Sequence, residues 1–134
     1  MTGPVRVPQD SAAPIRDHLR SFLGGRGESA TTDLAMPSSW SPVTDAPFVH
    51  VLNLPGPLVW PVFTQPPVHI AVYANGRTEA RRIAALCQGR LLMVPTPGVA
   101  QVRAATSIVD DRDSKTGAIV AGFDVNTKVR TALI

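Results

Sequence analysis

At 134 residues the chain is the size of one domain, long enough to bury a core without covalent staples. Its single cysteine excludes an internal disulfide and a Cys-rich metal site, and its 13 prolines, concentrated in the first hundred residues, predict extended arms and loops there. The net charge of +3 comes from dispersed arginines with no dense basic block, which argues against sequence-specific nucleic-acid readout. No run approaches the roughly 20 apolar residues of a membrane span. The opening MTGPVRVPQD has no apolar segment of the kind a secretory signal requires, so the expected setting of synthesis is cytoplasmic and reducing.

Residues 1–9 carry Pro4 and Pro8 and no periodicity, and are expected to form an extended arm. A single domain is expected over 10–134. It begins with a helix, because Ile15, Leu19, Phe22 and Leu23 recur on one helical face. Asp10 or Ser11 is placed to cap its start, Pro14 fits the first turn, and Gly24-Gly25 are expected to end it. His18 falls among charged neighbours on the polar side. Residues 24–47 hold little apolar material beyond a short strand near Thr32–Met36, and a connection this long is usually functional or mobile. A strand is expected over 47–54, then a Pro55-Gly56 turn, then an extended piece over 58–63 that Pro61 confines to an edge or a bulge.

Residues 67–74 read as a strand with Val68, Ile70 and Val72 on one face. Asn75-Gly76 reads as a tight turn in which both residues accept unusual backbone angles, with Thr78 or Asn75 capping the helix that follows. On that helix Ala80, Ile83, Ala84, Cys87 and Leu91 fall within an arc of about 100°, while Arg81, Arg82, Gln88 and Arg90 lie outside it. Cys87 is therefore read as a buried, inert thiol. Two long strands close the pattern. In 99–109, Ala100, Val102, Ala104 and Ile108 oppose Gln101, Arg103 and Ser107. In 118–134, Ile119, Ala121, Phe123, Val125 and Val129 alternate with Asp124, Asn126, Lys128 and Arg130. The charged link 110–117 makes them a hairpin with a polar tip. The expected architecture is α+β: two helices packed on one face of a mainly antiparallel β-sheet with a long C-terminal hairpin.

The chemistry-bearing residues form no catalytic pattern. Gly76 is the only glycine at the strand–helix junction, so the fingerprints of dinucleotide and P-loop sites are missing. His18, His50 and His69 belong to no zinc motif, and Asp110, Asp111 and Asp113 lack an EF-hand ligand series. The glutamates, Glu28 and Glu79, supply no visible acid–base pair. No cofactor and no metal is expected. Trp40, Trp60 and Phe63 sit in loop or edge segments, as core lids or interface anchors.

The order of elements resembles one family. A helix, IRDHLRSFL, leads through a loop to DAPFVHVLNLPG. Then comes QPPVHIAVYANGRTEARRIAALCQGRLL, a strand ending in Tyr-Ala followed by an Ala-rich helix. The strands VAQVRAATSIV and AGFDVNTKVRTAL follow. Over residues 10–134 this is similar to the tail terminator (tail-completion, lambda minor tail protein U-like) proteins of long-tailed bacteriophages. The resemblance implies a virion structural protein, not an enzyme. Its subunits form a homo-hexameric ring on the head-proximal end of the tail tube, assembled in the host cytoplasm. The ring stops polymerisation of the major tail tube protein and meets the head-completion or connector proteins, while DNA passes through its lumen without specific binding. No membrane is involved. In such a ring Asp110, Asp111, Arg112, Asp113 and Lys115 become an intersubunit or tube-facing tip, residues 1–9 a clamp on a neighbour, and Arg77, Arg81 and Arg82 candidates for contacts between subunits. The rival expectations are a neighbouring head–tail connector or stopper, a small nucleic-acid-binding module, and an enzyme handling phosphate at the Gly76 junction.

Overall fold

The computed structural model describes residues 5–56, 58–60 and 62–133, so the edge or bulge expected at Pro61, positions 1–4 of the arm and position 134 lie outside the described residues. The chain is α+β, with two helices and a largely antiparallel sheet. In chain order the elements are β1 (Arg6–Val7), α1 (Ala12–Gly25), β2 (Thr31–Asp33), β3 (Phe48–Asn53), β4 (Leu58–Val59), β5 (Phe63–Thr64), β6 (Pro67–Ala74), α2 (Arg77–Met93), β7 (Gln101–Ala104), β8 (Val109–Arg112), β9 (Ile119–Arg130) and β10 (Ala132–Leu133). The main sheet runs β2-β3-β6-β9-β5-β4, with β7 and β8 both added to β9; β2 lies parallel to β3 and the other pairings are antiparallel. The arm is held at Arg6 and Val7, which pair with Leu133 and Ala132.

Directly paired residues project to the same side of a sheet, so the register sorts the side chains. Val49, Val72 and Ala121 share one side, as do Val51, Ile70 and Phe123, and Val68 with Val125. All of them belong to a single core that also takes Ile15, Leu19 and Leu23 from α1 and Ala80, Ile83, Ala84, Cys87 and Leu91 from α2. The buried stripe of α2 is the one its 3.6-residue period requires. A second, smaller cluster occupies the other side. There Trp40 is only 9% exposed and packs with Phe48 and Ala118, its ring set edge-on to Tyr73 at 6.1 Å. The indole Nε1–H donates to the Ala46 carbonyl at 3.0 Å. The long 24–47 connection is therefore tied down twice, by β2 and by Trp40.

At the start of α1 the two capping residues that the sequence offers divide the role. Ser11 occupies the N-cap of α1, but the side chain that satisfies the free amides is Asp10, whose carboxylate accepts from Ala12 N and Ala13 N at 3.1 Å each. α1 ends at Gly25, where the sequence placed its end, with both glycines of the pair still helical. The stop is Gly27, at φ +77°, where Glu28 N donates to Leu23 O and Gly27 N to Gly24 O. This pair of bonds is a Schellman closure, and it needs a residue that tolerates the left-handed region. At α2 neither Asn75 nor Thr78 caps: Gly76 is the N-cap, makes no side-chain bond, and is extended at φ −136°, so the tight-turn angles expected there are absent.

The expected strand 99–109 is interrupted. Between the pairs Ala104↔Val125 and Val109↔Gly122, four residues (105–108) oppose two (123–124). An insertion of two leaves the side-chain alternation intact, since the strand period is two. Val102 and Ile108 accordingly still pack on the core, although Ala104 is exposed. Thr106 pins the bulge to β9: its Oγ1 accepts from Asp124 N at 2.8 Å and its N–H donates to Asp124 O at 3.3 Å.

Candidate functional site

The residues singled out in the sequence converge on two ion-pair clusters. Arg81 and Arg77 reach from the first turns of α2 to β8, donating to the Asp110 carboxylate at 2.6 and 3.0 Å. Those hydrogen bonds, Arg81's foremost, hold the Asp110 carboxyl below the usual carboxylate range. Asp110 pairs with Ala121 and so lies on the helix side of the sheet, which is why α2 can reach it. Arg82 grips Glu28 with both terminal nitrogens, at 2.8 and 3.0 Å, and also donates to Glu79 at 2.8 Å. That grip lowers the Glu28 carboxyl and raises the guanidinium. The three arginines tie α2 to β8 and to the end of α1.

The hairpin tip divides by role. Asp113 closes the turn: its carboxylate accepts from Thr116 Oγ1 at 2.6 Å and Thr116 N at 3.2 Å, and its own N–H donates to Ala118 O at 2.7 Å. The Thr116 hydroxyl is the main cause of its lowered carboxyl pKa. Arg112 donates to Gly117 O at 3.2 Å. Asp111 and Lys115 are exposed, and neither charge is in an ion pair among the described residues.

The histidines are each engaged. His18 is not on a solvated face: it is 8% exposed, with Nδ1 2.7 Å from Thr96 Oγ1 and Nε2 accepting from Arg90 Nε at 2.9 Å. Because Arg90 must donate, Nε2 carries no proton, and Nδ1–H donates to the threonine. Burial, then the Arg90 charge, hold His18 below the ordinary histidine pKa. His50 Nε2 lies 2.9 Å from the Leu34 carbonyl. His69 and Asp124 face each other across β6 and β9 at 2.5 Å, the imidazole lying over Gly122, where an added Cβ would stand 3.0 Å from His69 Cε1. Among the described residues no group of three His, Cys, Asp or Glu side chains is placed to hold a metal ion.

Sequence reasoning passed over a basic strip on the polar side of the sheet. Arg103 pairs with Asn126, Gln101 with Lys128, and Phe63 with Arg130, so these six side chains share one side at the far end of β9. They line, with Arg6, two contiguous grooves of about 310 and 640 Å³ that have Gln101 and Lys128 in common. The Lys128 ammonium sits 4.4 Å from the centre of the Phe63 ring. Gln101, with its amide oxygen turned toward Arg103, accepts from Nε and Nη2 at 3.0 Å each. Arg6 donates to Thr131 Oγ1 at 3.3 Å. None of the four cations meets a carboxylate within ion-pair distance among the described residues.

Compared with protein-family models and with curated proteins, the chain matches none.

Proposed function

We propose that this chain is the subunit of a tail terminator ring: six copies cap the head-proximal end of a bacteriophage tail tube, end its polymerisation and receive the head-completion proteins. The observation that carries the reading is the junction of β6 and α2. β6, ending in Tyr73-Ala74, lies inside the sheet between β3 and β9 and passes within two residues into the Ala-lined helix that packs back on it. That junction, set between a leading helix and the closing β8–β9 pair, is the order of elements on which the resemblance rests. In this reading both helices cover one face of the sheet, and 109–130 is the long C-terminal hairpin. The tip, and the part of the other face that the Trp40 cluster leaves uncovered, remain for neighbours. The role is binding, with no bond chemistry and no cofactor, and head-to-tail contacts close the ring by rotation.

Native mass spectrometry of the purified protein is expected to give a six-copy species, and electron microscopy of tails carrying a tagged copy to place it at the end of the tube that meets the head. Absence of the protein from particles sinks the proposal. Its presence on heads that lack tails assigns it instead to the neighbouring connector or stopper.

A further inference from the structure

We infer that the basic groove formed by Arg6, Arg103, Lys128 and Arg130 is a contact surface for the phosphate backbone of nucleic acid, engaged without regard to sequence. The charge distribution leads there. Arg77, Arg81 and Arg82 are consumed by Asp110, Glu28 and Glu79, and Arg16 and Arg20 lie beside Asp17 and Asp33. Among the described residues none of the four groove cations meets a carboxylate within ion-pair distance. The groove therefore gathers four cations on one concave surface, and a concave surface of one sign concentrates counter-ions of the other.

Geometry favours phosphates over an acidic peptide. Lys128 and Arg130 stand two residues apart on one side of β9, about 7 Å by strand rise, within reach of neighbouring phosphates along one strand. Planar guanidinium forks suit phosphate oxygens. Between the cations lie Gln65, Gln101 and Asn126, amides that donate to phosphate or sugar oxygens. Phe63 in the groove and Trp60, 51% exposed on the adjoining β4–β5 turn, supply aromatic faces of the kind on which bases stack. The inference rests on the ring reading only for the source of the nucleic acid, the DNA that crosses the lumen.

The test is fluorescence anisotropy with the full chain, a labelled random-sequence 20-bp duplex and a 20-nucleotide strand. We expect binding that does not depend on sequence and that weakens about 40-fold from 50 to 200 mM salt, as neutralising about three phosphates requires. Arg103→Gln with Lys128→Gln and Arg130→Gln is expected to cost at least tenfold at 50 mM. Arg77→Gln with Arg82→Gln, which alters only arginines already paired, is expected to leave affinity unchanged. Should the triple variant not fold, Arg103→Glu alone, at an exposed site, carries the comparison. No binding at 50 mM salt, or an equal loss in the Arg77 and Arg82 variant, overturns the inference. Tighter binding of a polyglutamate peptide of equal charge overturns it in favour of an acidic protein partner. Loss of the six-copy species in the groove variant also overturns it, making the strip a subunit contact. Loss of that species in the unaltered protein, with DNA binding intact, defeats the ring reading alone.

Discussion

Buried against Arg90, the His18 ring accepts a hydrogen bond at Nε2 and gives one at Nδ1, an arrangement open only to neutral imidazole. Its folded pKa lies below the ordinary 6.5. As pH falls through that value, the unfolded chain takes up a proton that the folded chain refuses, so stability is full above about 6.5 and declines below it. Thermal melts are expected to drop between pH 7 and 5.5, and His18→Gln is expected to flatten the drop. Identical pH dependence in the two proteins would contradict the assignment. Cys87 makes a complementary case. It is fully buried and its thiol is pushed up to about 12 by burial, so thiolate is scarce and sheltered. An aromatic disulfide reagent is expected to react only as denaturant unfolds the protein. Rapid labelling of the native chain would show the helix stripe to be open. Cys87 was legible from its place in a 3.6-residue period. His18 was not, because Thr96 and Arg90 lie more than seventy residues further along.

At the scale of elements, two glycines at the C-terminal end of α1 offer opposite substitutions. Gly24 lies inside the helix, and a Cβ there meets nothing within 4 Å. Gly24→Ala is expected to stabilise the protein by about 0.5–1 kcal/mol, through lost freedom of the unfolded chain. Gly27 has the same open surroundings but sits at φ +77°. Gly27→Ala is expected to destabilise by about 1–2 kcal/mol, the cost of an L-residue in the left-handed region. Denaturant midpoints measure both, and equal effects would remove the Schellman closure as the stop signal. The adjacent Gly24 and Gly25 marked the end of the helix, but only backbone angles reveal that Gly27 is the glycine the closure needs. The strands of the core were legible at β6 and β9, where alternation is strict. The bulge at 105–108 was hidden because an even insertion keeps every side chain on its face.

For the whole molecule, the informative quantity is which charges remain after folding. Alternation alone assigned Arg103, Lys128 and Arg130 to outward positions, but only the register of β7, β9 and β5 draws them together. The candidates Arg77, Arg81 and Asp110 were legible as a group on helix and hairpin, but not their mutual neutralisation, which depends on contacts about thirty residues apart. At the tip, Asp111 and Lys115 are the charges left over. Asp111→Ala with Lys115→Ala is expected to shift stability by less than about 0.5 kcal/mol, since both side chains are exposed and neither is in an ion pair among the described residues. Under the ring reading it is also expected to weaken six-copy assembly, measured by native mass spectrometry against dilution. A marked loss of stability would mean that the tip supports the fold and not a neighbour.

β9 is the one strand shared by β5, β6, β7 and β8. During synthesis its first residue is made 45 positions after β6 ends. Until it emerges, β6 has only β3 beside it and presents a long unpaired edge of Val, Ile and Tyr to other nascent chains. Productive folding must wait for this late strand, and contacts of such separation form slowly. A chain interrupted near residue 118 would keep that adhesive edge open, and aggregation is the fate expected of it.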